Sequence, residues 1–337
     1  MEESTEATTP KKKSLLNTFV KIVLPLLLGI AIVYYLISKI DPAELWIVLK
    51  NANWLILLSS LIFGLLGNII RGYRWELFIQ PLGYTPKLST LIYAILGGYA
   101  VNFAIPRAGE IWKCGMVAKE EKIPFTKLFG TMILDRIFDM ITVIIICLAA
   151  FLINMQFFIT QLEQSKSTLD IILMIVKSPV LYIALVAAVI TTYIVFKFFK
   201  ENIIVKKVKS FLSNMANDMK TIWQMKTKGR LLICSVAIWT SYFFYFYITF
   251  YAFDFTASLG ITAGLITFAL SSLSMIIPSN GGLGPWQIAI VAGLMLYGVS
   301  ELNATAFATG VFALQSIIWV ILCGLFGIVA LALRKQK

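Results

Sequence analysis

Apolar residues in this chain fall into long unbroken runs, not into the stripes of a soluble amphipathic domain. Leu26–Ile37 and Ile141–Ile153 contain no charged residue. Several runs approach the roughly 20 residues that a helix needs to cross a bilayer. The pattern predicts spans at Phe19–Ile37, Trp54–Ile70, Thr126–Ile153, Pro179–Phe199, Leu231–Tyr251 and Ala304–Leu333. Pro25 predicts a kink in the first span, and Asp41–Leu49 reads as a short surface helix. Two further stretches are broken. Leu88–Ile105 is followed by the charged Pro106–Glu121, and Gly260–Ile277 by Pro278–Pro285 and the short apolar Trp286–Val299.

Charge gives these runs an orientation. Residues 200–230 hold eight Lys/Arg, namely Lys200, Lys206, Lys207, Lys209, Lys220, Lys226, Lys228 and Arg230, whereas 154–177 hold only Lys166 and Lys177. The first loop is expected in the cytoplasm and the second outside. A single crossing by Leu88–Ile105 would put the eight charges outside. If residues 88–120 instead enter and return on the cytoplasmic side, every loop lands on its preferred side. Residues 260–299 repeat that form from the external side. The expected fold is therefore an all-α integral membrane protein with about six full spans and two re-entrant broken-helix hairpins. Its halves, about 15–153 and 178–337, form an inverted repeat within one membrane domain at 15–337. Residues 1–14 form a cytoplasmic tail, and both termini are expected in the cytoplasm of a multi-pass protein of the cell membrane.

Composition agrees. Of the 337 residues 59% are hydrophobic and 14% charged, with a net charge of +12; an ordinary soluble domain is about 25% charged. The basic residues sit in loops and not among exposed aromatics, which argues against nucleic acid. There is no histidine, which removes His-based triads and His-rich zinc sites. The four cysteines form no Cys-x-x-Cys pair and read as small buried hydrophobes. No phosphate-binding loop or dinucleotide fingerprint occurs. Lys11–Lys13 precede the first run without a small-residue cleavage site, so that run reads as an uncleaved span. No cofactor, metal or catalytic residue is expected.

The informative charges lie inside apolar runs, where each costs about 2.5–3.5 kcal/mol by insertion scales. Asp135 falls about 14 Å along a helix begun at Thr126, near mid-bilayer, with Arg136 and Asp139 beside it. These three read either as an ion pair locking two helices or as a site for a polar head group. Arg107, Glu110 and Lys113 are expected on a helix started by Pro106, whose free N–H groups and arginine suit a phosphate; the competing reading is that Arg107 only neutralises Asp135 or Asp139. Asn280, Gly281, Gly282 and Gly284 would let backbone amides converge on an anion, with Gln287 in the first turn after Pro285. A plain turn explains those glycines equally well. The second span runs on into Arg71-Gly72-Tyr73-Arg74-Trp75, and Arg71, Arg74 and Trp75 at its cytoplasmic end anchor that end or recruit a head group.

Taken together, Arg71-x-x-Arg74-Trp75, Pro106-Arg107-x-Gly109-Glu110-x-x-Lys113, Asp135-Arg136-x-x-Asp139 and Pro278-x-x-Gly281-Gly282-Leu283-Gly284 resemble the signatures of the lysylphosphatidylglycerol synthase transmembrane family, also described as flippase-like. The resemblance covers about residues 15–335. The chain departs from it with Lys113 in place of arginine, Asp135 in place of glutamate and Gln287 in place of an expected glutamate. Two-part members carry a lipid between leaflets and aminoacylate it with a separate soluble domain. This sequence ends at Lys337, directly after its last span, so the resemblance implies the translocating half without the synthetase.

The expected activity is translocation of an anionic lipid or lipid-linked head group. Arg107, Arg136 and the Gly281–Gly284 amides would hold the anion, while Glu110, Asp135 and Asp139 position the arginines. The alternatives are an integral-membrane transferase acting on a lipid carrier, either phosphatidylglycerol lysyltransferase-like or glycosyltransferase-like, and a non-transporting subunit. The expected partners are membrane lipids with an anionic head group and a cytoplasmic lipid-modifying enzyme.

Overall fold

A computed structural model of the chain describes residues 27, 30–36, 38, 41–156, 160, 228–277 and 279–333. Most of the first expected span, nearly all of loop 154–177, the run Pro179–Phe199, most of loop 200–230 and Pro278 lie outside the described residues.

The described residues are helical, without a strand among them. Helix α1 (Pro42–Lys50) starts on Asp41, whose carboxylate accepts the Ala43 N–H at 2.8 Å. Helix α2 (Trp54–Ile79) starts on Asn53 in the same way. Both are the oxygen-bearing N-caps that helix starts favour. Then come α3 (Leu88–Ala104), α4 (Ala108–Glu121), α5 (Phe125–Ile153) and α6 (Lys228–Tyr247). The rest comprises α7 (Gly260–Ser274), α8 (Pro285–Met295), α9 (Glu301–Phe312) and α10 (Trp319–Ala332). A π-helical turn, Ala313–Ile318, joins α9 to α10.

Four helical stretches are long and apolar enough to cross a membrane: Trp54–Leu82, Phe125–Ile153, Lys228–Ala252 and Glu301–Ala332. Their outer faces stay bare. Ile144, Ile145 and Leu148 on α5 are 54%, 58% and 56% exposed. An apolar wall of that kind belongs in lipid, because soluble monomers rarely expose such patches. The shorter apolar helices are α3, α7 and α8, with 17, 15 and 11 residues. At 1.5 Å per residue α3 reaches only about 25 Å, short of a ~30 Å hydrocarbon core.

Contacts along the helices give their directions. Arg71 meets Asp139, Arg74 meets Asp135 and Trp75 meets Thr131, so α2 and α5 run antiparallel. Gly64 lies against Tyr245, Gly67 against Tyr242, and Arg74 reaches Ser235, so α2 and α6 are antiparallel too. The end of α2 and the start of α5 therefore share one end of the bundle. The α3–α4 pair leaves from that end and returns to it. Helix α7 packs antiparallel to α6, with Gly264 against Tyr247 and Phe268 against Trp239. The α7–α8 pair thus enters from the opposite end.

Each pair is closed by small residues. Gly98 and Gly109 bring the α3 and α4 backbones so close that a methyl on Gly109 would overlap the Gly98 carbonyl. Gly293 packs α8 onto Thr267 of α7. The pairs meet at their tips. The Asn280 side-chain amide donates to the carbonyls of Phe103 (3.1 Å) and Ala104 (3.4 Å), capping the last turn of α3. Gly281 lies against the Phe103 ring.

One local expectation changes. Pro106 does not start α4: it lies in a turn, and the helix begins at Ala108. Arg107 has a left-handed backbone (φ +64°), which a right-handed helix cannot pass through. Helix α2 runs on past Ile70 through Arg71–Trp75, as expected, and continues to Ile79, because Trp75, Leu77, Phe78 and Ile79 find buried partners.

Candidate functional site

The interface of α2, α5 and α6 holds four charges with almost no exposure. Arg71 lies 2.5 Å from Asp139 and 3.3 Å from Asp135. Arg74 lies 2.6 Å from each carboxylate. Residues 71 and 74 are three apart on one helix and 135 and 139 four apart on the other, so each pair shares a face. Each guanidinium also reaches α6. Arg71 Nε donates to the Tyr242 hydroxyl (3.2 Å) and Arg74 to the Ser235 hydroxyl (3.0 Å), and Tyr242 in turn donates to Asn68 (2.9 Å). The quartet is charge-balanced and densely hydrogen-bonded, which is what a buried ion cluster needs.

A second cluster adjoins it. Glu110 lies 2.6 Å from Lys113 one turn along α4, and 3.3 Å from Arg136 of α5. Arg136 also reaches Asp139 at 3.5 Å. Lys113 stands over the Trp75 ring at 5.2 Å, a cation–π contact. Arg136 differs from the other arginines of these clusters. Its side chain is 35% exposed, and its buried Nε has no hydrogen-bond partner among the described residues. A crevice lined by Tyr99, Asn102, Glu110, Lys113 and Arg136 lies beside it, too tight in this conformation to admit a water molecule. Counting the seven charges, Arg71, Arg74, Lys113 and Arg136 face Glu110, Asp135 and Asp139, four cations against three carboxylates. One positive charge is left over.

The helix starts at the two breaks offer fewer free amides than the sequence reading expects. The Gly109 N–H donates to the Asn102 side chain (2.7 Å), and the Ala108 N–H to the Ile105 carbonyl. At the second break the Gly284 N–H donates to the Gln287 side chain (2.7 Å), so Gln287 acts there as a helix cap. Gly281, Gly282 and Gly284 all have positive φ, the conformation for which glycine is favoured. Arg107 is exposed and its guanidinium reaches the Ile276 carbonyl at 3.5 Å, across to the other tip and away from Asp135 and Asp139.

The structure therefore gathers Glu110, Lys113, Asp135, Arg136 and Asp139 with Arg71 and Arg74. Arg107 lies near Asn280 and Gly281 at the tips, and the Gln287 carbonyl oxygen is taken up by Gly284. The sequence reading overlooked Asn68, Asn102, Ser235 and Tyr242. Asn102 carried a signal, as an amide three residues before a break in an apolar run. Ser235 and Tyr242 lie seven apart and share a helix face. Among the described residues no group of three or more His, Cys, Asp or Glu could hold a metal ion, and all four cysteines are free.

An open apolar groove lies elsewhere, between α2 and α6. It is lined by Phe63, Leu66, Ile70, Leu232, Val236 and Phe244, with no charged side chain. It belongs to the lipid-facing wall, beside the Arg71 quartet but not part of it.

Comparison with known proteins gives a family. The chain is 29% identical over 125 residues to the glycosyltransferase AglD of Haloferax volcanii, a match covering 37% of this chain and 20% of that protein. It is 28% identical over 95 residues to a UPF0104 membrane protein of Methanocaldococcus jannaschii, covering 27% of this chain and 28% of that one. The chain thus spans less than a third of either relative. No solved structure matches it. The family model for the lysylphosphatidylglycerol synthase TM region matches residues 22–331. With its long apolar helices and that match over nearly its whole length, the chain is a multi-pass membrane protein belonging to the lysylphosphatidylglycerol synthase TM region family.

Proposed function

We propose that the chain moves a lipid with an anionic head group between the two leaflets. The observation that carries this reading is the unbalanced charge at Arg136. Arg136 contacts Glu110 and Asp139 at 3.3 and 3.5 Å, yet it keeps a partly exposed guanidinium and an unpartnered Nε beside a tight polar crevice. An excess positive charge inside an apolar bundle is costly. A phosphate oxygen supplies the missing negative charge and suits the planar fork of an arginine. The broken pairs entering from opposite ends support the re-entrant hairpins and inverted-repeat plan, with the site where the breaks meet.

The orientation follows from positive charge. Among the described residues Lys87, Lys119, Lys122, Lys127, Lys228 and Arg230 cluster at the bundle end where α2 stops and α6 starts, whereas the other end has only Lys50. The basic end is the cytoplasmic one. Helix α10 ends there too, which agrees with a cytoplasmic C-terminus in the cell membrane.

The test is leaflet exchange of an acyl-labelled anionic lipid by the purified chain in liposomes. Exchange above that of empty liposomes, lost in Arg136→Gln, is expected; no exchange by the unaltered chain overturns the reading. The match to a protein named as a glycosyltransferase favours one second reading, a membrane part serving a transferase that acts on a lipid carrier. Mass spectrometry of lipids incubated with the chain and candidate donors would reveal a modified product in that case.

A further inference from the structure

Asn280 is 1% exposed, and its two side-chain atoms differ in fate. The nitrogen donates to Phe103 and Ala104 and latches the tips together. The oxygen is buried and accepts no hydrogen bond among the described residues. Buried side-chain polar atoms are nearly always paired, so an orphaned acceptor asks for an occupant. A latch alone does not need this chemistry, because the nitrogen performs it.

Asn280 is held to the stretch of α3 that continues from the charged crevice. Phe103 and Ala104 directly follow Asn102, which lines the crevice with Arg136 and Lys113 and pins the Gly109 N–H. Around the tips Ala104, Ile105, Arg107, Ile276 and Ile277 are exposed, so Asn280 is held directly to a residue open to the surroundings. A carbonyl-type oxygen accepts and never donates. It is therefore matched to an O–H or N–H group and not to the phosphate itself.

Resting on the translocation reading above, we infer that Asn280 Oδ1 is a specificity-determining acceptor for a hydroxyl or ammonium donor carried by the head group beside its phosphate. Arg136 and Lys113 take the charge and Asn280 reads the neighbouring donor. Sites built to hydrogen-bond a substrate donor discriminate strongly against analogues that lack it, because the buried acceptor is then left unpaired.

The experiment compares three acyl-labelled lipids in liposomes containing the full chain. Phosphatidylglycerol carries hydroxyl donors, phosphatidylethanolamine an ammonium, and phosphatidylmethanol neither. Wild-type protein should move at least one of the first two roughly tenfold faster than phosphatidylmethanol, and the faster of the two identifies the donor. In Asn280→Ala that ratio should collapse toward one, even where loss of the latch slows every lipid. Equal wild-type rates for all three overturn the inference, as does a variant that retains the ratio. The wild-type comparison needs no altered protein, so it decides even if Asn280→Ala fails to fold. If the wild-type chain moves none of the lipids, the translocation reading falls. Binding competition among the same three lipids then decides the role of Asn280, and equal affinities overturn it.

Discussion

Arg71 and Asp139 meet at 2.5 Å although 68 positions separate them in the chain. With Arg74 and Asp135 they make a ring of charge in which both arginines touch both carboxylates. That ring ties α2 to α5, and the hydroxyls of Ser235 and Tyr242 tie it to α6. A helix-locking role suits these four better than a role in gripping substrate, since most of their hydrogen bonds are already made.

Arg74→Leu should therefore be severe, because it leaves two carboxylates partly uncompensated where neither meets water. Removing one member of a buried pair costs about 3–5 kcal/mol. Arg74→Leu combined with Asp135→Leu keeps the charge balanced and should recover much of that loss. Thermal unfolding in detergent measures both, and a double variant as unstable as the single one would contradict the lock.

Arg136 should behave in the opposite way. Its side chain is one-third exposed and its closest carboxylates lie at 3.3 and 3.5 Å. Arg136→Gln is expected to unfold within a few degrees of wild type while leaflet exchange falls at least tenfold. Arg136→Lys should remain impaired, because an ammonium does not reproduce a two-point grip on phosphate. Normal exchange by Arg136→Gln would reduce Arg136 to a partner of Glu110.

Gly109→Ala tests the first broken pair. Its methyl would run into the Gly98 carbonyl, backbone against backbone, where no side chain can swing aside. A loss of about 2 kcal/mol or more is expected, together with loss of exchange. Gly115→Ala on the same helix meets nothing within 4 Å and serves as the control. Equal stability of the two variants would show that the close approach is dispensable.

Topology can be read with single cysteines in a background lacking the native four. Lys122→Cys should react with an impermeant thiol reagent only after cells are opened, and Lys50→Cys in intact cells. Labelling of both positions from the same side would refute the paired-end arrangement of α2, α5 and the α3–α4 pair.

Much of this arrangement was legible in the sequence, and the reasons differ by residue. Asp135, Arg136 and Asp139 stood out because charge in an apolar run is costly enough to need a partner. The breaks near Pro106 and Gly281–Gly284 stood out because proline and glycine interrupt helices. The partners of the aspartates were harder to see. Arg71 and Arg74 follow the apolar run Trp54–Ile70 and read as its charged end, yet Trp75, Phe78 and Ile79 carry the helix onward and bury both arginines. Arg136 and Asp139 are neighbours on one helix, so local spacing paired them, whereas the tighter contacts of Asp139 come from residues 68 and 65 positions earlier. Spacing along one helix reports which residues share a face, and not what that face meets.

The π turn at Ala313–Ile318 has a mechanical consequence for the last long helix. Above it Ala304, Phe307, Ala308 and Val311 bury one stripe in the aromatic cluster around Phe246 and Phe250. Below it Gly324 and Gly327 lie against the backbone of α3 at Leu96 and Tyr93. Gln315 pins the turn itself, donating to Ser60 (2.9 Å) and to the Tyr245 carbonyl (2.7 Å). Each residue of an α-helix advances the phase by about 100°. Deleting one residue here would rotate α10 by about that angle relative to α9 and turn the glycine seam off α3. The turn thus acts as a phase shifter, allowing one continuous rod to mesh with the second broken pair through α8 above and with the first through α3 below.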